Sequence, residues 1–236
     1  VATRSIEDFD AYVEKLHQFV YKSNLFMKPV FTKAKTQLKR VVLCEGEDLR
    51  VLHATQQIVS QKLAFPVLIG RPEVIERRIK ELGLNLQAGK DFELVNNQRD
   101  PRYREYWGEY YQSMKRKGIT EEMARRRVIG NTTLIGALMV NRGDADAMIC
   151  GTFGRYREHF DTIEQVIGYN NPEKVAGTMN ALILPHGNIF ITDTYVNAKP
   201  NAAQLAKITE MATEDMRRFG IEPKVALMSH SNSRSI

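Results

Sequence analysis

The chain has 236 residues, 43% hydrophobic and 26% charged, with a formal net charge of +6. Such a length can bury one large core or two smaller ones, and the balance is that of a soluble globular protein. No apolar run approaches the ~18 residues of a membrane span, and VATRSIEDFD is no signal peptide. The chain is therefore expected in the cytoplasm with no membrane partner. The positive charge invites an anionic partner such as nucleic acid, phosphate or a phosphorylated cofactor, without choosing among them.

In chain order, Ile6, Phe9, Val13, Leu16, Phe19 and Val20 recur at helical steps, with Glu7, Asp8 and Asp10 in the first turn. This predicts an amphipathic helix over 6–21. YKSNLFMKPVFTKAKTQLKR has no clear period and reads as a connector. From Arg40 the pattern alternates: RVVLC as a buried strand, EGEDLRVLHATQQIVSQK as turn and helix, FPVLIG as a second strand, PEVIERRIKELG as a helix opened by Pro72 and closed by Gly83. Strands alternating with helices predict an α/β fold with a mainly parallel sheet covered on both faces.

The middle is more helical. DPRYREYWGEYYQSMKRKG spaces its aromatics at helical steps, Thr120 is an N-cap for TEEMARRRVIG, and NTTLIGALMVNRG reads as a buried helix leading into the strand ADAMICG. A domain seam is expected near Gly143 to Gly151. Beyond it, NALIL and NIFIT flank Pro185-His186-Gly187 as a hairpin, a helix follows with Asn201 and Gln204 as a capping box, and KVALMS reads as a closing strand.

Local chemistry is sparse. Neither G-x-G-x-x-G, G-x-x-x-x-G-K-[ST] nor G-x-S-x-G occurs. Cys44 and Cys150 each close an apolar run and suit reduced, half-buried thiols, with no disulfide expected. The five histidines lack metal-ligand spacing, so no metal site is expected. The basic stretches Lys115–Lys117 and Arg125–Arg127 are interrupted by Glu121 and Glu122 and read as a solvated helix face, so no nucleic acid partner is expected. Three loops at strand ends remain, where open α/β sheets bind ligands. They are the acidic Glu45–Asp48 turn, Gly151–Gly154 with two glycines, and Ser229–Ser235, whose hydroxyls could cradle a phosphate or a thioester oxygen. Each has an equally simple structural reading: a helix N-terminus, a tight turn and a frayed tail.

Four blocks taken together resemble the phosphate acetyltransferases: RVVLCEGEDLRVLHA, ADAMICG, FITDTYVNAKPNAAQLAKI and FGIEPKVALMSHSN. DFDAYVEKLHQFVYKSNLFMKPVF and the stretch from REYW through MKRKGIT are similar to the C-terminal part of the large bacterial NADP-dependent malic enzymes, in which a catalytic region is fused to a phosphate-acetyltransferase-like domain. The resemblance implies a two-lobed phosphate-acetyltransferase-like (isocitrate/isopropylmalate dehydrogenase-like) α/β fold. Residues 1–39 would be a linker helix and connector from an upstream catalytic region, 40–145 a first lobe and 146–236 an incomplete second lobe. It also implies a homo-oligomer, dimer or higher, and a regulatory role with acetyl-CoA or a related CoA ester as effector. In such enzymes NADP and a divalent metal (Mg or Mn) belong to the catalytic region. The alternative implied activity is acetyl transfer between CoA and phosphate.

Carried over by motif, the implied acetyl-CoA residues are Ser229, Ser231 and Asn232 in the final loop, Asp193 and Asn197 in the D-x-x-V-N block, and Gly151 with Thr152 in the glycine turn. No catalytic residue is assigned. The pattern departs after Gly151, where Asp161 stands near an expected arginine, which argues against acetyl phosphate chemistry. It departs again at Arg234, which replaces a glycine. The last residues are accordingly expected to be a truncation of the loop.

Overall fold

The computed structural model describes residues 8–96, 98–184, 187–194 and 196–228. The chain divides into two compact units, residues 31–168 and residues 1–30 with 169–236. The sequence places the seam at 145/146 instead. The difference has a physical cause: the strand after Gly143 pairs into the first sheet, and the helix that follows it packs on the same core.

In the unit of residues 31–168, four strands form one parallel sheet in the order β3-β2-β1-β4. They are β1 (Arg40–Leu43), β2 (Phe65–Ile69), β3 (Glu93–Val95) and β4 (Ala147–Ile149). Alternation along each strand sorts side chains onto two faces. Leu43 and Leu68 join Val51, Leu52, Ile75 and Ile79 under α2 (Leu49–Gln61) and α3 (Pro72–Glu81). Val42, Cys44, Val67 and Ile69 pack with Tyr106, Val128, Ile135 and Leu138 from α4 (Tyr103–Met114), α5 (Glu121–Gly130) and α6 (Thr132–Arg142). α7 (Tyr156–Val166) packs on α6. Burial of β1 and β2 on both faces explains why they read as continuous apolar runs rather than alternating ones; β4, at the edge, leaves Ile149 57% exposed.

Caps set the helix starts. The Asp48 side chain accepts from the Arg50 amide, Thr120 from Met123 and Asn131 from Leu134, each satisfying an orphan donor of a first turn. Two elements have no counterpart in the sequence reading. β3 is only three residues long, and its Glu93 is held by Arg102 at 3.0 Å and by Arg40. α7 lacks a side-chain cap and has no fully buried residue.

In the other unit, β5 (Met179–Leu184) and β6 (Gly187–Thr192) form the expected antiparallel pair; the turn residues Pro185 and His186 lie outside the described residues. α8 (Ala202–Arg218) opens with the full capping box of Asn201 and Gln204 and packs on β6, burying Ile208 and Ala212. The Phe190 and Phe219 rings lie 6.3 Å apart. The predicted N-terminal helix is longer than expected: α1 (Phe9–Thr36) runs on through the presumed connector and contains Pro29. Asp8 starts it by accepting from the Ala11 amide at 2.9 Å. Over 224–228 the expected strand is absent. Among the described residues no strand pairs with it, and Leu227 and Met228 are exposed at 70% and 93%.

Candidate ligand site at the strand ends

The strand order sets the position of the site. The chain steps outward from β1 to β2 and β3, then returns to β4 on the other side of β1, so the order reverses between β1 and β4. Ligands of open α/β sheets bind beyond the carboxyl ends of the strands at such a reversal. Here the ends present Cys44 and Glu45 after β1, Gly70 and Arg71 after β2, and Cys150 and Gly151 after β4. A cleft of about 380 Å³ opens over them, lined among others by Glu45, Glu47, Arg71, Arg78, Thr132 and Phe153.

Glu45 is 5% exposed. Its carboxylate accepts from the Gly151 amide at 2.9 Å and from the Thr152 hydroxyl at 3.4 Å, tying the loop after β1 to the loop after β4. Gly46 must be glycine for the turn to fit: a Cβ there would meet the Ile69 carbonyl oxygen at 2.8 Å. Beyond it Glu47 reaches across to Arg71, accepting from its amide at 2.9 Å, its Nε at 2.8 Å and its Nη2 at 2.7 Å. Arg78 donates to the Glu47 carbonyl oxygen. The fork of hydrogen bonds from Arg71 holds the Glu47 carboxyl below the usual range, against the opposing effect of burial. Asp48 is lowered similarly by Arg50, whose Nη2 also donates to the Thr152 carbonyl oxygen at 3.0 Å.

Beneath this rim lie two free thiols, Cys44 buried and Cys150 half-buried. The neighbouring Cys44 thiol brings the Cys150 thiol down to about 7, helped by His159 and Thr133 and opposed by burial and Glu45. Cys150 in turn, with burial, pushes Cys44 well up. Cys44 thus keeps its proton when Cys150 has lost its own.

Of the residues implied by resemblance, Gly151 and Thr152 stand at this rim, held by Glu45. Asp193 and Asn197 belong to the other unit and are joined to each other: Asp193 Oδ2 accepts from the Asn197 amide at 2.9 Å and from its Nδ2 at 2.7 Å. Thr178 donates to Asp193 Oδ1 at 3.2 Å, and Asn197 Nδ2 also donates to the Ala176 carbonyl oxygen at 2.7 Å. The pair therefore closes the loop after β6 onto the segment before β5. Ser229, Ser231 and Asn232 lie outside the described residues. Arg71, Arg78, Cys150 and His159 have no functional signal in the sequence; only the strand order brings them to one edge. Asp161 is paired with Arg157 at 2.7 Å. Among the described residues no group of three or more His, Cys, Asp or Glu side chains is placed to hold a metal ion, and no helix is long and apolar enough to cross a membrane.

A four-stranded parallel sheet packed against helices, with polar loops gathered where the strand order reverses, defines an α/β fold. The fold matches that of EutD phosphotransacetylase from Staphylococcus aureus with a TM-score of 0.74 at 23% identity, covering 92% of this chain and 63% of that one. The chain belongs to the phosphate acetyl/butaryl transferase family, whose model matches residues 25–236. It is 64% identical over 98% of its length to the NADP-dependent malic enzyme of Salmonella typhimurium, matching that protein's C-terminal region. It is 32% identical over 89% of its length to the phosphate acetyltransferase of Nitratidesulfovibrio vulgaris. The chain spans 31% and 29% of the lengths of these two relatives.

Proposed function

We propose that this chain is the regulatory and assembly domain of a malic enzyme, binding acetyl-CoA or a related CoA ester as an effector and forming a homo-oligomer. The parent polypeptide then oxidatively decarboxylates malate to pyruvate and CO2 with NADP and a divalent cation. The identity of 64% to a malic enzyme, double the 32% to a phosphate acetyltransferase, supports the parentage. The observation that carries the regulatory reading is the charge arrangement at the strand ends. Arg71 and Arg78 are already engaged by Glu47, and three carboxylates line the same cleft, which suits reversible binding better than stabilising the charge of an acyl phosphate. A cleft of about 380 Å³ is large enough for part of a CoA ester. By linkage, the effector changes activity only if it binds two states of the enzyme with different affinity.

Titration calorimetry with acetyl-CoA tests this: saturable heat is expected, and its absence refutes the reading. The family match over residues 25–236 favours a second reading, acetyl transfer between CoA and phosphate. Phosphate-dependent consumption of acetyl-CoA by the purified protein would support it, and binding without turnover would exclude it.

A further inference from the structure

Cys44 and Cys150 stand at the ends of neighbouring parallel strands, and their register brings them together. Leu43 pairs with Ile149, and the Cys44 amide donates to the Ile149 carbonyl oxygen at 3.0 Å, carrying the ladder one residue further. Residues side by side on adjacent strands have Cα atoms about 4.8 Å apart and side chains on one face. That spacing lies within the roughly 4.4–6.8 Å a disulfide spans. Both side chains belong to the face covered by α6, where Gly136 leaves room for the Cys44 sulfur: a Cβ there would meet it at 2.6 Å.

The surroundings favour attack by Cys150. Thr133 Oγ1 lies 2.8 Å from His159 Nδ1, and His159 Nε2 lies 2.8 Å from the Phe153 carbonyl oxygen. A carbonyl only accepts, so Nε2 carries a proton. His159 and Thr133 both lower the Cys150 thiol. A thiolate so supported, half-buried rather than sealed, is the kind that reacts.

We propose that Cys150 and Cys44 are a hydroperoxide-responsive dithiol, Cys150 attacking and Cys44 resolving, whose disulfide staples β1 to β4 beneath the cleft. The Cys150 thiolate attacks one oxygen of hydrogen peroxide. The O–O bond breaks, a sulfenic acid forms, and the other oxygen leaves as water with the proton the thiol released. The Cys44 sulfur then attacks the Cys150 sulfur, the S–O bond breaks, and a second water leaves with the Cys44 proton. Two thiols and one peroxide become one disulfide and two waters. The inference is independent of what the cleft binds.

The test is limited peroxide treatment of the purified chain, followed by intact mass and non-reducing peptide mapping. A loss of about 2 Da, a Cys44–Cys150 linked peptide and reversal by dithiothreitol are expected. Alkylation by iodoacetamide before oxidation should be at least about tenfold faster at Cys150 than at Cys44. Its rate should rise through pH of about 7 in the field of Cys44, Glu45 and His159, with that midpoint higher in Cys44→Ala. Cys44→Ala should stop at a trappable sulfenic acid. Oxidation of the unaltered protein to sulfinic acid at Cys150, with Cys44 still a free thiol on denaturation, overturns the proposal without reliance on any variant.

Discussion

Gly136 offers a direct measure of how tightly the floor of the cleft is packed. It lies inside α6, where alanine is ordinarily favoured over glycine by roughly 0.5–1 kcal/mol. Its Cβ, however, would sit 2.6 Å from Cys44 Sγ, 3.3 Å from Met148 Cε and 3.5 Å from Val42 Cγ1. The sulfur cannot retreat, because Cys44 is wholly buried at a strand end whose backbone is tied to β4. Overpacking of this kind costs about 1–3 kcal/mol, so Gly136→Ala should destabilise by a net of about 0.5–2 kcal/mol. Gly108 in α4 is the internal control: a Cβ there meets nothing within 4 Å, and Gly108→Ala should stabilise by about 0.5–1 kcal/mol. Urea unfolding of both variants, and of Gly136→Ala in a Cys44→Ala background, separates the two terms. Removing the sulfur should restore the helix gain, with a coupling of about 1 kcal/mol or more. If Gly136→Ala proves as stable as Gly108→Ala, the close packing of α6 on Cys44 is wrong, and the placement of the dithiol with it.

Glu45→Ala leaves the Gly151 amide and the Thr152 hydroxyl without their acceptor and should cost about 1–3 kcal/mol, with faster amide exchange at Gly151; Glu45→Gln should lose less. The lowered Glu47 carboxyl makes a pH-dependent contribution to stability. It is fully present above the ordinary glutamate range and lost as pH falls through the depressed value, so urea midpoints measured toward acid pH should fall less steeply in Glu47→Gln. Asn201→Ala removes the capping box of α8 and should cost about 1 kcal/mol by thermal melting, with no effect on the thiols.

Much of the architecture was legible because its determinants are local. Arg40–Leu43 and Phe65–Ile69 announce themselves as buried strands, and Asp48, Thr120 and Asn201 announce helix starts, because apolar runs and side-chain caps act over a few residues. β3 and α7 have no counterpart in the sequence reading. The first is held by the ion pairs of Glu93 and by Leu68 and Ile69 alongside, the second by packing on α6. The extent of α1 escaped for a related reason, since Pro29 signals a break that the observed helix does not take. In the site, the Glu45–Asp48 and Gly151–Gly154 loops could be marked as strand ends. What could not be read was that β4 lies beside β1, and that single fact joins Glu45 to Gly151 and Cys44 to Cys150. Sequence separations of more than a hundred residues carry no period or spacing from which such a pair could be found.

The same geometry decides what an anionic ligand must do to enter the cleft. Arg71 spends three donors on Glu47, so a phosphate oxygen can recruit it only by displacing a carboxylate that is already well satisfied. On the proposed function, binding would compete with the Arg71–Glu47 pair, holding the affinity of the cleft below what its cations alone could supply. Glu47→Gln removes one negative charge from the lining and loosens the fork while leaving Arg71 and Arg78 in place. Because such partly exposed pairs are weak, the expected gain in affinity for acetyl-CoA is modest, about twofold to fivefold, and should shrink as salt is raised. Calorimetry of both proteins at two salt concentrations measures it. An affinity for acetyl-CoA that is unchanged by Glu47→Gln at low salt would mean that the ligand binds away from these strand ends, whatever the outcome of the thiol experiments.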